Sequence, residues 1–285
     1  ISAALNAAGH RKYPKDTQHG YAASIGGMTG SFHHNLLANC AGRNWSLAGG
    51  LDKEKRHTGW LDIRNNVVFN WKDRTTDGGA GPVQFVNNYY KPGPATQKLH
   101  TIRPELEWVH LYGPQQYYIA GNVLEGHVKA DDHLGGFVAW KDTPLKEYFR
   151  ETPFFESHVE THSAEMASRS VLANVGCNVP RLDNHDTRIL EEVRTGKCKH
   201  LGSVTGLPGL PDSQDDVGGW ESYPEVHRPA SWDTDRDGIP DSWEKGNSLN
   251  PNDPADGNND RDNNGFTNLE EYLGSLTGEF AAEQQ

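Results

Sequence analysis

Short apolar runs, broken by turns rich in Asn and Gly, set the rhythm of residues 1–127. Four of these runs share one layout, a strand-like stretch that ends in Asn and continues into small apolar residues. They are SFHHNLLAN around Asn35, LDIRNNVVFNW around Asn66, QFVNNYYKPG around Asn88 and YYIAGNVLEG around Asn122, with steps of 31, 22 and 34 residues between the asparagines. Short strands at such steps predict coils of a parallel β-helix, in which each coil covers the rung its neighbour exposes. An Asn repeated at one corner can hydrogen-bond its copies in adjacent coils and satisfy the backbone at the bend. Loops of different length between the rungs absorb the unequal steps. On the repeat alone, a β-sandwich with Asn-rich turns stands level with this reading.

The pattern changes after residue 127. SAEMASRSVLANVG begins with Ser163, a good N-cap, and keeps its apolar residues on one face, so it predicts a short helix. DNHDTRILEEVRTG, from Asp183 to Gly196, predicts another, with acidic and amide residues at its start and Gly at its end. The Gly- and Pro-rich stretch LGSVTGLPGLPDSQDDVGGWESYPEV has no period and reads as a linker or an ordered wrap. The expected fold is all-β: a right-handed parallel β-helix with short helices and a small C-terminal calcium-loop module. Its expected parts are coils over 1–127, an extension over 128–228 and the module over 229–285.

That module carries the strongest local motif. The calcium-loop pattern D-x-[DN]-x-[DN]-G-x5-E occurs twice, as DTDRDGIPDSWE and DRDNNGFTNLEE. Calcium is a hard cation that takes six to eight oxygens, which alternate loop positions supply. The first loop offers Asp233, Asp235, Asp237, the Ile239 carbonyl and Glu244, with Asp241 direct or through water. The second offers Asp260, Asp262, Asn264, the Phe266 carbonyl, Asn268 and Glu271. Gly238 and Gly265 stand at the sharp turn of each loop. No second long helix separates the loops, so they resemble thrombospondin type 3 or dockerin-like modules more than paired helix-loop-helix sensors, with the ion substituting for a core. A module of this kind works at the millimolar calcium found outside the cytoplasm.

Composition narrows the function classes. The chain has 27 Lys+Arg against 39 Asp+Glu, a net charge of −12, and no basic stretch offsets it. Nucleic acid is therefore a poor partner. Mean hydropathy is −0.78 and no apolar run approaches a membrane span. Cys40, Cys177 and Cys198 fit no zinc spacing; Cys177 and Cys198 are one bridgeable pair, and three free thiols are an equal alternative. The opening residues, ISAALNAAGHRK, read as the middle of a domain rather than a leader, and coils upstream of Ile1 are expected.

His33 and His34 lie on a strand, where successive side chains face opposite ways, so one is expected inside the coil and the other outside, with no joint metal site. Arg43 follows by a short strand and turn. Here the chain resembles a known family. HGYAASIGG-x-TGSFHHNLLAN-x-x-GRN, LDIRNNVVFNW and FVNNYYKPGPAT are similar to the pectate lyases of polysaccharide lyase family 1, in particular secreted bacterial ones, over roughly residues 1–125. The DxDxDG tail is also familiar from those lyases.

The resemblance implies β-elimination in a polygalacturonate-like chain. Ca2+ bridges substrate and enzyme carboxylates, and a basic residue takes the C5 proton. Arg43 stands where the family places that base. Arginine as a class stays protonated, so a fixed cation on the developing oxyanion is the alternative role. Lys12 and Lys15 are the candidates for a lysine that binds the substrate carboxylate. Arg74, with Asp77 and Gly78, lines the same cleft or forms a surface loop. After Arg43 the chain reads Asn44-Trp45-Ser46, where the family has Pro and a second basic residue, and the family's calcium-holding acids fall upstream of Ile1. The implied protein is a secreted monomer acting on pectate.

Two other readings stand beside this one. A calcium-stiffened β-helix that binds carbohydrate without catalysis is one. A hydrolase with paired carboxylates is the other, for which Asp131 and Asp132 beside His133 are the candidate pair. His100, His110, His127 and His133 are scattered, and Trp45, Trp60 and Trp71 default to core packing.

Overall fold

The computed structural model describes residues 1–285 apart from 8, 10, 11, 15, 16, 49–53, 55–57, 105–114, 140–147, 180 and 279–285. The chain forms two compact units, Ile1–Asn178 with Leu182–Glu221, and Val179–Arg181 with Ser222–Gln285.

The first unit is a parallel β-helix. Its strands run β1 (Ser24–Gly26), β2 (Thr29–His33), β3 (Leu36–Ala38), β4 (Ser46–Ala48), β5 (Trp60–Arg64), β6 (Val67–Phe69), β7 (Thr76–Gly79), β8 (Val83–Val86), β9 (Tyr89–Lys91), β10 (Ile102–Pro104), β11 (Tyr117–Ala120) and β12 (Val123–Leu124). Every third strand stacks in one sheet, giving β1-β4-β7-β10, β11-β8-β5-β2 and β12-β9-β6-β3, and every pairing is parallel. A sandwich of antiparallel hairpins is thereby excluded for these residues.

The repeated Asn makes the corner between the second and third sheets. Asn35 Nδ2 donates to Asn66 Oδ1 at 2.9 Å, Asn66 Nδ2 to Asn88 Oδ1 at 3.0 Å, and Asn88 Nδ2 to Asn122 Oδ1 at 2.9 Å. The backbone N–H of each donor residue reaches the same acceptor oxygen, at 3.1, 3.1 and 2.9 Å. One slot earlier the chain bends through the left-handed region at His34, Asn65, Asn87 and Gly121, with φ of 52°, 53°, 51° and 67°. Asn and Gly are the residues that tolerate this bend best.

The coil interior is filled by Leu37, Leu61, Ile63, Val68, Phe85, Tyr90, Ile102, Tyr117 and their neighbours, with Trp45 and Trp71 among them. Trp60 is instead 49% exposed and lies against Phe155. The outer face of β3 and β6 is buried as well. Helices α1 (Ala164–Asn174) and α2 (Asn184–Thr195) cover it, setting Val171, Ile189, Leu190 and Val193 against Leu36, Val67 and Phe69. Ser163 caps α1 and Asp183 caps α2, each accepting a backbone N–H, and Gly196 ends α2 in the left-handed region. The Gly- and Pro-rich stretch is an ordered wrap up to Glu221: Leu210 is fully buried against Ala41 and Ala95, and Asp212 accepts from the backbone of Val204 and Thr205.

Cys40, Cys177 and Cys198 form no disulfide, which decides between the two cysteine alternatives. One expectation needs correcting. His33 and His34 do not face opposite ways. Extended geometry stops at His33, and the bend at His34 brings the two Nδ1 atoms within 3.0 Å on the outside of the coil.

The second unit is built from two acidic loops, each leading into a helix: α3 (Asp241–Gly246) and α4 (Asn268–Thr277). Trp243 packs on Tyr272, and Ile239 is fully buried.

Candidate functional site

The turn that leads into the sheet β1-β4-β7-β10 carries one polar side chain per coil. Counting back from the pairs Ser46↔Asp77 and Thr76↔Ile102 puts Arg43, Arg74 and His100 at equivalent positions in three successive coils. The Arg43 and Arg74 guanidiniums both lie over the Tyr21 ring, at 4.7 and 5.0 Å from its centroid, an arrangement that favours cations. Arg43 is half-buried, its backbone held at φ 53°, and its Nε is buried without a hydrogen-bond partner. Among the described residues no carboxylate pairs with it.

Arg74 differs. Its Nε donates to Asp77 Oδ2 at 2.6 Å. Burial works against its charge, but the hydrogen bond to Asp77 and that residue's charge outweigh it, and the pKa rises. Asp77 and Gly78 are not in a surface loop: Thr76–Gly79 form β7, and Asp77 is buried with Oδ1 unpartnered. Gly78 is required there, because its φ is 95° and a Cβ would stand 2.3 Å from the Leu47 carbonyl oxygen of the adjacent coil.

His100 closes the row, buried with Nε2 unpartnered. Burial first, and then the Arg103 charge, push its pKa down to about 4. The unfolded chain takes up a proton near pH 6.5 and the folded chain only near 4. His100 should therefore contribute stability above pH 6.5 that is lost as pH falls toward 4, a matter of a few kcal/mol. In urea unfolding midpoints followed from pH 7 to pH 4, His100→Gln should flatten that fall.

Sequence reasoning did not find the aromatic file Tyr13, His19, Tyr21, whose rings follow one another at 6.0 and 4.5 Å and end under the two arginines. The HGY stretch was its only signal. Lys12 is an exposed turn residue beside that file. Lys15 lies outside the described residues. Asp131, Asp132 and His133 are exposed on a turn, so they form no buried carboxylate pair.

Elsewhere among the described residues there are cavities of about 460 Å³ beside Arg64, Gln84 and Phe155 and of about 590 Å³ beside Tyr89 and Glu125. Among the described residues the arginine face offers no group of three ligands for a calcium ion, and Arg74 holds one oxygen of Asp77.

The first tail loop does fit one. Asp233, Asp235 and Asp237 bring carboxylate oxygens within 4.8 Å of one another, and so do Asp237, Glu244 and Asp256. Both Glu244 oxygens, Asp235 Oδ2, Asp237 Oδ2 and Asp256 Oδ1 are buried without a partner. Burial first, then Asp235, Asp237 and Asp256, push the Glu244 pKa up to about 7. Asp241 stands aside, since its oxygens accept from Thr234 and Lys245. Ile239 donates its N–H to Asp237 Oδ1.

The second loop is arranged otherwise. Asp260 accepts from the N–H groups of Asn264 and Gly265, and Asn264 Nδ2 donates to both Asp262 and Glu271. Glu271 Oε2 faces Arg261 Nη2 at 3.1 Å. Phe266 donates its N–H to Asn264 Oδ1, and Asn268 donates its amide to the Asp256 carbonyl.

The chain is similar to a probable pectate lyase C of Emericella nidulans. The two are 29% identical over 235 residues, covering 76% of this chain and 48% of that relative, so the chain spans about half the relative's length. No family model matches the chain.

Proposed function

We propose that this protein cleaves a uronate polysaccharide, pectate or a close relative, by β-elimination on the arginine face, outside the cell. The observation that carries the reading is the Arg43–Arg74 pair over Tyr21, with Arg43 lacking any described acidic partner. Two adjacent guanidiniums, only one of them paired with a carboxylate among the described residues, favour an anionic sugar over a neutral one. The similarity to a protein named pectate lyase agrees with this.

In the reaction hydroxide at the alkaline working pH takes the C5 proton as water, the electron pair of the C5–H bond becomes the C4–C5 double bond, and the C4–O bond breaks, its oxygen leaving as an alcohol with a proton from water. Negative charge gathers on the uronate carboxylate as the proton leaves. Arg43, placed in a turn that the coil fixes, stabilises that charge, and Arg74 holds the neighbouring carboxylate. By the resemblance, Lys12 or Lys15 would bind the substrate carboxylate. Calcium belongs to the tail, where Asp233, Asp235, Asp237 and Glu244 of the first loop would hold it and supply folding energy.

The test is ultraviolet absorbance of polygalacturonate incubated with the chain at alkaline pH in calcium. Unsaturated product is the expected result. New reducing ends without that absorbance would make the protein a hydrolase, and retention on pectate without any product would make it a binding protein.

A further inference from the structure

We propose that Asp256, which lies outside both loop motifs, is a ligand of the first calcium site, so that one ion fastens the loop to the segment between the loops. This rests on reading the tail as calcium loops.

Asp256 is 9% exposed and Glu244 is fully buried. Burying several ionised carboxylates together is costly unless a cation joins them. The hydrogen bonds of the loop account for half of the oxygens and leave the other half pointing inward. Asp235 Oδ1 accepts from the Asp237 N–H and Asp237 Oδ1 from the Ile239 N–H, while the second oxygen of each has no partner. Asp256 repeats the arrangement from the other side: Oδ2 accepts from the Asn250 N–H at 2.8 Å, and Oδ1 is unpartnered.

The Asp237, Glu244 and Asp256 oxygens lie within 4.8 Å of one another. Two oxygens across one calcium ion are about 5 Å apart at most. The site has oxygen donors alone, with no imidazole or thiolate, which suits calcium and not zinc or copper.

Position 257 adds a second constraint. A Cβ on Gly257 would stand 2.4 Å from Asp237 Oδ2, so the segment presses its backbone against the loop carboxylate. Asn268, at the start of α4, donates to the Asp256 carbonyl at 2.7 Å and fixes the segment from behind. The second loop lacks such an outside carboxylate among the described residues; Arg261 stands against its Glu271 instead.

The test compares Asp256→Asn with the parent full-length chain. The amide keeps an oxygen for the Asn250 N–H and removes the charge. Calcium titration calorimetry should show the first site weakened about tenfold or more. Hydrogen exchange over 241–258 should be slowed by calcium in the parent and much less in the variant. In chelator, the variant should exchange no faster than the parent, because one of several like charges has gone. Asp253→Asn, the same charge change at an exposed position nearby, should alter none of these.

Unchanged calcium affinity in Asp256→Asn would overturn the proposal while leaving the loops as calcium sites. Faster exchange in chelator, with calcium affinity lost only in proportion, would reduce Asp256 to a structural contact. A parent chain that binds no calcium would remove the loop reading itself.

Discussion

Arg43→Ala is expected to lower the rate of unsaturated product formation by about 10²- to 10³-fold, the scale seen when one fixed charge-stabilising donor is taken from an active site. The fold should survive. Arg43 lies at a turn, is half-buried and contributes no side chain to the coil interior. Its Nε has no partner to be left orphaned. Arg43→Lys separates the charge of this residue from its shape. A lysine restores a point charge but not the planar fork. Recovery of most of the rate would mean that charge on the carboxylate suffices, whereas a rate as low as that of alanine would mean that guanidinium geometry is needed. An alanine variant that folds and keeps its rate would remove Arg43 from the chemistry.

Asn88→Ala should damage the coil severely. Asn88 stands in the middle of the corner ladder and is fully buried. Its Oδ1 accepts from the backbone and side-chain N–H groups of Asn66, and its Nδ2 donates to the Ile63 carbonyl and to Asn122 Oδ1. Truncation leaves several of these groups buried without partners, and each costs about 1–3 kcal/mol. A loss of about 3 kcal/mol or more is a large share of the stability of a domain. Urea unfolding should show the midpoint fall with little change in slope. Asn88→Asp should not rescue it, because the Ile63 carbonyl and Asn122 Oδ1 need donors. Asn35→Ala, at the exposed end of the same ladder, should cost much less.

The corner was legible because one residue type has to sit there, and its copies recur along the chain. The helices were legible from their caps. The same repeat held information that was not used. His34 occupies the slot that Asn65, Asn87 and Gly121 occupy in later coils, so alignment of the coils already required a bend where strand periodicity placed an extended residue. Thr75-Thr76-Asp77-Gly78-Gly79 has turn chemistry when read locally. The stack makes it a buried strand, because the carbonyl of Leu47 leaves no room for any side chain at position 78. Asp256 escaped because the loop motif spans its own residues alone, and a ligand brought in from another segment has no fixed spacing. Tyr21 escaped because stacking beneath two guanidiniums leaves no mark on a sequence beyond an aromatic residue.

The corner ladder also has a direction. Every Asn–Asn bond in it runs from a donor in the earlier coil to an acceptor in the later one, while Asn66 and Asn88 also donate back to the Phe32 and Ile63 carbonyls, and the steps between its members are 31, 22 and 34 residues. The ladder therefore registers coils and is blind to their length. Chain can be gained or lost in the excursions between rungs without disturbing a single corner bond. The frame and its surface can thus change independently: the asparagines preserve the scaffold, and the loops between the rungs are free to diverge.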